Sequence, residues 1–114
     1  MILDELNAAR AKERRQIDRA ATEQAERIIQ RATGKGLSYY ATRSRKEEFT
    51  AFRALYVYLA VELGASYVAA GRALGRSHAT AIHAYNSYTL YATTWGTLAR
   101  LRQKVIDLTD TICQ

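Results

Sequence analysis

Apolar residues recur along this chain at steps of three and four, and the breaks between the runs fall mostly on glycine. That spacing is helical throughout. From Leu3 to about Thr33 the stripe runs through Leu6, Ala9, Ile17, Ala20, Ala21, Ala25, Ile28, Ile29 and Ala32, with charges of both signs over the rest. Alanine dominates it, so each turn buries little area. The half up to about Arg19 predicts an arm free to project, dock on a partner or fray; the half from Ala25 carries the stronger face. The chain therefore divides into a charged helical extension, residues 1–24, and a domain, residues 25–114. Leu37 to Thr42 makes a short turn with Leu37, Tyr40 and Ala41 inward. Glu47 to Leu63 is the clearest amphipathic helix, with Phe49, Phe52, Leu55, Tyr56, Leu59 and Leu63 as its core face and Glu47 and Glu48 suited to its N-terminal dipole. Gly64 ends it. A short helix follows, Tyr67 to Leu74, capped by Ser66, with Val68 and Leu74 inward and Gly71 suited to close packing. A last amphipathic helix carries Trp95, Leu98, Leu101, Val105, Ile106 and Leu108. The chain has no proline, and the fold class this predicts is all-α, about five to six helices with an extra one at the N-terminus.

The stretch from Gly71 to Tyr85 stands apart. Gly75 sits where a helix end needs a residue tolerant of positive φ, and Ser77 where the next helix needs a capping oxygen. Then come His78, Ala79 and Thr80, small or polar residues that would not seal a core. This spells a helix-turn-helix whose second helix, His78 to about Tyr91, turns Ile82 and Tyr85 inward and His78, Ala79 and His83 outward. Side chains of this size reach base edges from a helix N-terminus lying in a major groove. Arg76 adds positive charge at the same end.

Charge changes the picture next. Seventeen Lys and Arg against eleven Asp and Glu leave a net charge of +6, and the isoelectric point is about 9.7. A basic domain of this size suits a polyanion. Arg43-Ser44-Arg45-Lys46 puts three cations in four residues at an element boundary, either as a solvated loop or as an arm that meets phosphates or a minor groove. Arg53, on the outer side of its helix, is placed to reach a phosphate. Several chemistries are not expected. Gly34-Lys35-Gly36 lacks the upstream glycine of a phosphate loop, since Ile29 stands there, and Gly36 occupies the place of its Ser or Thr, so no nucleotide site is expected. Two histidines and the single Cys113 have no ligand spacing, so no metal and no cofactor is expected. Ser77 and His78 are adjacent and diverge on a helix, and no enzyme is expected. One thiol, no apolar run of membrane-spanning length and no leader-like start predict a cytoplasmic protein with no membrane partner.

The runs Arg53 to Leu63, Gly71 to Arg76 and His78 to Ala84 resemble the C-terminal DNA-binding domain of the bacterial replication initiator DnaA. The resemblance spans roughly Ile28 to Leu108, with Leu37 to Arg45 matching that domain's short helix and basic loop. It implies a helix-turn-helix fold whose reading helix enters the major groove while a loop arginine enters the adjacent minor groove. Carried over residue by residue, Arg45 falls on the minor-groove arginine and Arg53 on a phosphate-contacting arginine. Arg76 precedes the contacting turn, His78, Ala79 and Thr80 form it, and His83 is a further contact. Arg43, Lys46 and Ser77 complete the DNA-binding set. Ser77 replaces the family's usual aspartate and Ala79 its threonine; a proline common near Val68 is absent. The resemblance thus implies the family's docking mode with a different recognised sequence. No ATPase domain is expected to accompany it. Double-stranded DNA is the expected partner, with the N-terminal helix meeting RNA polymerase, another copy or another regulator. The expected role is transcription regulation, of the kind small phage-related or gene-transfer-agent activators perform. The alternatives are an origin-binding accessory or inhibitor of replication initiation, and a helical protein–protein adaptor that binds no DNA.

Overall fold

The helix at the centre of the molecule has no exposed face along its middle. In the computed structural model, which describes the backbone of residues 1–113 and the side chains of residues 1–111, every residue from Ala51 to Val57 is buried. This is α3, Glu47–Glu62. A helix covered all round needs partners all round. They are α1 (Ile2–Thr33), α2 (Leu37–Tyr40), α4 (Tyr67–Ala73), α5 (His78–Tyr91) and α6 (Gly96–Cys113), each packed against it. The fold is all-α, as its periodicity predicts. α3 is not amphipathic, however. Ala51, Ala54 and Ala60, neutral in a hydrophobicity pattern, are as buried as Leu55 and Tyr56, while Leu63, assigned to the core face, lies past the helix end and is exposed. The Cys113 thiol lies outside the described side chains.

α1 is one unbroken helix across residues 24 and 25, closed by Gly34 at φ +78°. Residues 1–17 are exposed, and burial starts with Ala21, Ala25 and Ile29, spaced one turn apart. Anchoring begins earlier than that stripe, through polar contacts. The Asp18 carboxylate accepts from the Ser66 backbone N–H at 2.9 Å and from Arg14 at 2.7 Å, and Arg14 also donates to the Gly64 carbonyl. Burial pushes the Asp18 carboxyl up, but the Ser66 N–H and Arg14 outweigh it and hold the group below its ordinary value. α1 thus grips the start of α4 and leaves its first turns exposed.

α4 is seven residues long and has room for one inner face. Ala70, Gly71 and Leu74 take it. Val68 is roughly a third of a turn from the middle of that face at 100° per residue and stays half-exposed, which corrects its assignment to the core. The same geometry corrects Ile82. On α5 the inner arc belongs to Ala81 and Tyr88, flanked by Ala84 and Tyr85, so Ile82 faces out.

Candidate nucleic-acid interface

Two glycines shape the turn between α4 and α5, for different reasons. Gly75 takes φ +69°, a conformation L side chains rarely adopt. Gly71 is needed for space: a Cβ there would lie 2.7 Å from the Ser77 carbonyl oxygen and 2.9 Å from that of Arg76. The Arg76 N–H donates to the Gly71 carbonyl at 2.8 Å and closes the turn. Ser77 is extended and caps α5, its Oγ accepting from the Thr80 N–H at 3.2 Å. The Ser77 and Thr80 hydroxyls also sit 3.1 Å apart. Ser77→Ala is accordingly expected to cost about 1 kcal/mol of stability, measured by urea denaturation; no change would mean that the cap bond is not formed in solution.

The first turn of α5 is open. Ser77, His78, Ala79 and Thr80 are all exposed, and so is His83 one turn on. The side chains of Ile82 and Asn86 project from the same outer face, between and beyond His78, Ala79 and His83. Neither was assigned a contact from sequence. The signal was available in their spacing, Ile82 three residues and Asn86 seven residues after Ala79, but Ile82 reads as core by its chemistry.

Beside this tip lies a cleft of about 540 Å³, walled by Arg45, Arg53, Arg76, Thr80, His83 and Trp95. Its floor is apolar, with Ala54, Val57 and Leu74. No acidic side chain lines it. Among the described residues the ion pairs are Arg14–Asp18 and Arg19–Glu23, so no cation of the cleft or of the loop before α3 has a carboxylate partner. Of the sequence-selected set, Arg45, Arg53, Arg76, Thr80 and His83 therefore meet at one cleft. Ser77, His78 and Ala79 do not line it; they are exposed at the start of α5, and Arg43 and Lys46 are exposed on the loop that carries Arg45.

One of these residues is not where its charge suggested. Arg53, expected on the outer side of its helix, is only 8% exposed. Its guanidinium donates to the carbonyls of Tyr40 at 3.1 Å, Thr42 at 3.2 Å and Ser44 at 2.6 Å. The reason is local: the loop after α2 crosses directly over α3 and leaves three backbone acceptors that need donors. Burial disfavours the charged form and shifts the Arg53 pKa down, with the neighbouring positive charge of Arg76 adding to it. Arg76 is half-buried and donates to the same Thr42 carbonyl at 2.7 Å. At the far end Glu47 accepts from Trp95 Nε1 at 2.6 Å and Thr97 Oγ1 at 2.9 Å, joining the start of α3 to that of α6. Those bonds, the Trp95 one foremost, hold its carboxyl below the ordinary value.

No protein-family model, no curated protein and no solved structure matches the chain. Among the described residues, no helix is long and apolar enough to cross a membrane.

Proposed function

We propose that this chain is a sequence-specific double-stranded DNA-binding protein of the helix-turn-helix kind, docking as the C-terminal domain of DnaA does and serving as a cytoplasmic transcription regulator. One observation carries the reading: the exposed, capped first turn of α5, through Thr80, and the loop bearing Arg45 border the same acid-free cleft. In this reading the first turn of α5 enters the major groove. His78 reads a base edge, Ala79 and Ile82 supply apolar contact to a thymine methyl, and His83 lies further along the groove. Arg45 enters the neighbouring minor groove, where a narrow A·T tract concentrates negative potential. Arg43 and Lys46 meet phosphates on either side. The exposed first turns of α1, with Ile2, Leu3 and Leu6 uncovered, are the contact for polymerase or a second regulator.

The test is an anisotropy titration on a duplex selected by the protein from a random pool. Arg45→Ala and His78→Ala are each expected to weaken binding by about 1–3 kcal/mol. Unchanged affinity in both variants, or a pool from which nothing is enriched, overturns the docking.

A further inference from the structure

The loop that presents Arg45 is held by arginines from two different elements. Few backbone bonds hold it otherwise. The Ser44 N–H reaches Thr42 Oγ1 at 3.4 Å and the Lys46 N–H reaches Ser44 Oγ at 3.2 Å, both local contacts that do not fix the loop to the domain. The fixing is done by Arg53, from α3, and Arg76, from the turn before α5, which converge on the carbonyl of Thr42 while Arg53 spans on to Tyr40 and Ser44. A guanidinium has a planar fork of donors and no acceptor, so Arg53 reaches the Tyr40 and Thr42 carbonyls from Nη1 and that of Ser44 from Nη2, a spread that lysine's single nitrogen does not reproduce.

The chemistry of the acceptors matters as well. Carbonyls satisfy the donors without cancelling the charge. Two cations are thereby held close together, one of them buried, with no carboxylate between them, and burial and mutual repulsion both disfavour the arrangement. The three carbonyls need donors, which neither an apolar side chain nor a carboxylate supplies; two arginines supply them and leave both charges unneutralised beside the cleft.

We infer that Arg53 and Arg76 are positioning residues. They tie the minor-groove loop to the helix-turn-helix turn, so that Arg45 and the tip of α5 meet DNA as one rigid body. This rests on the DNA-binding reading above and changes the part assigned to Arg53. Arg53 acts through the loop, and its charge is used by the cleft's field, while Arg45 makes the contact.

A double-mutant cycle on the full chain decides it, read by anisotropy on the selected duplex. Arg53→Gln is expected to weaken binding about as much as Arg45→Ala, in the range of about 5- to 150-fold. Adding Arg45→Ala to Arg53→Gln is then expected to change affinity by less than about twofold, because the loop is already lost. Both single variants are expected to lose the same preference for A·T pairs at the minor-groove position, which a general loss of stability would not do selectively. Arg53→Lys is expected to restore only part of the affinity. Should Arg53→Gln not fold, Arg76→Gln, at a half-exposed position on the same carbonyl, carries the same cycle. Losses that multiply, with the A·T preference kept in Arg53→Gln, overturn the inference and make Arg53 an independent contact. If Arg45→Ala itself has no effect while His78→Ala does, the loop reading fails and the inference goes with it. If neither matters, the DNA reading fails.

Discussion

Tyr40→Ala is expected to lower the stability of the domain by about 3–5 kcal/mol, whereas Tyr40→Phe is expected to leave it unchanged or raise it by about 1 kcal/mol. The ring is wholly buried. It stacks on Phe52 at 5.4 Å and leans on Tyr56 at 5.8 Å. Removing it opens a ring-sized hole under the loop, and the surrounding helices can close that hole only in part. The hydroxyl is another matter, because it is buried with no hydrogen-bond partner. Its burial pushes its pKa far above the ordinary phenol range, so it stays neutral and contributes an unsatisfied dipole. Phenylalanine keeps the packing and removes that liability. Urea denaturation of the three proteins checks both halves. A loss below about 1 kcal/mol for alanine contradicts the packing, and a clear loss for phenylalanine means that the hydroxyl has found a partner, such as an ordered water. The position also matters for the interface, since the Tyr40 carbonyl is one of the three that Arg53 binds.

Much of this could be read from residue types, and what could not has identifiable causes. Caps and breaks were legible because each follows from one residue's own chemistry. Ser66 and Ser77 accept where a helix starts, Gly34 and Gly75 take positive φ, and α5 begins and ends at the positions its pattern predicts. The open tip at His78 and Ala79 was legible because nothing there could seal a core. Val68 and Ile82 were misplaced because an apolar residue was read as inward without asking whether its helix had a second face to bury. On a helix as short as α4, or one packed along a narrow arc as α5 is, the answer is no. Arg53 was misplaced for a deeper reason. Charged side chains belong outside unless paired, and its partners are backbone carbonyls, which every residue has and no sequence singles out. Where a loop crosses a helix is a tertiary fact. Glu47 shows a milder form: it does stand at a helix start, as the dipole favours, yet its bonds to Trp95 and Thr97 reach across 48 and 50 residues of sequence.

Binding to the selected duplex is expected to fall steeply with salt, by about 150-fold between 50 and 200 mM if about four phosphates are neutralised, because the logarithm of affinity drops by about 0.9 per phosphate for each decade of salt. The figure of about four follows from the surface around the tip. Arg76, which holds the Thr42 carbonyl, is not counted; Arg43, Arg45 and Lys46 are exposed on the loop and Arg72 is exposed on α4. None of them has a carboxylate to give up before meeting a phosphate. Arg53 is left out of the count because its donors are already used inside the protein. Variants then separate the kinds of contact. Arg43→Ala and Lys46→Ala are each expected to flatten the slope by about 1 and to weaken all sequences alike. His78→Ala is expected to lower affinity for the selected duplex while leaving the slope unchanged, since its contact is to a base edge. The adaptor alternative predicts the reverse pattern: an apolar protein–protein contact releases few ions, so its affinity is nearly flat in salt. A slope shallower than about −1 on the selected duplex, with His78→Ala and Arg43→Ala indistinguishable from the parent, would leave the exposed tip and its cations without a nucleic-acid role.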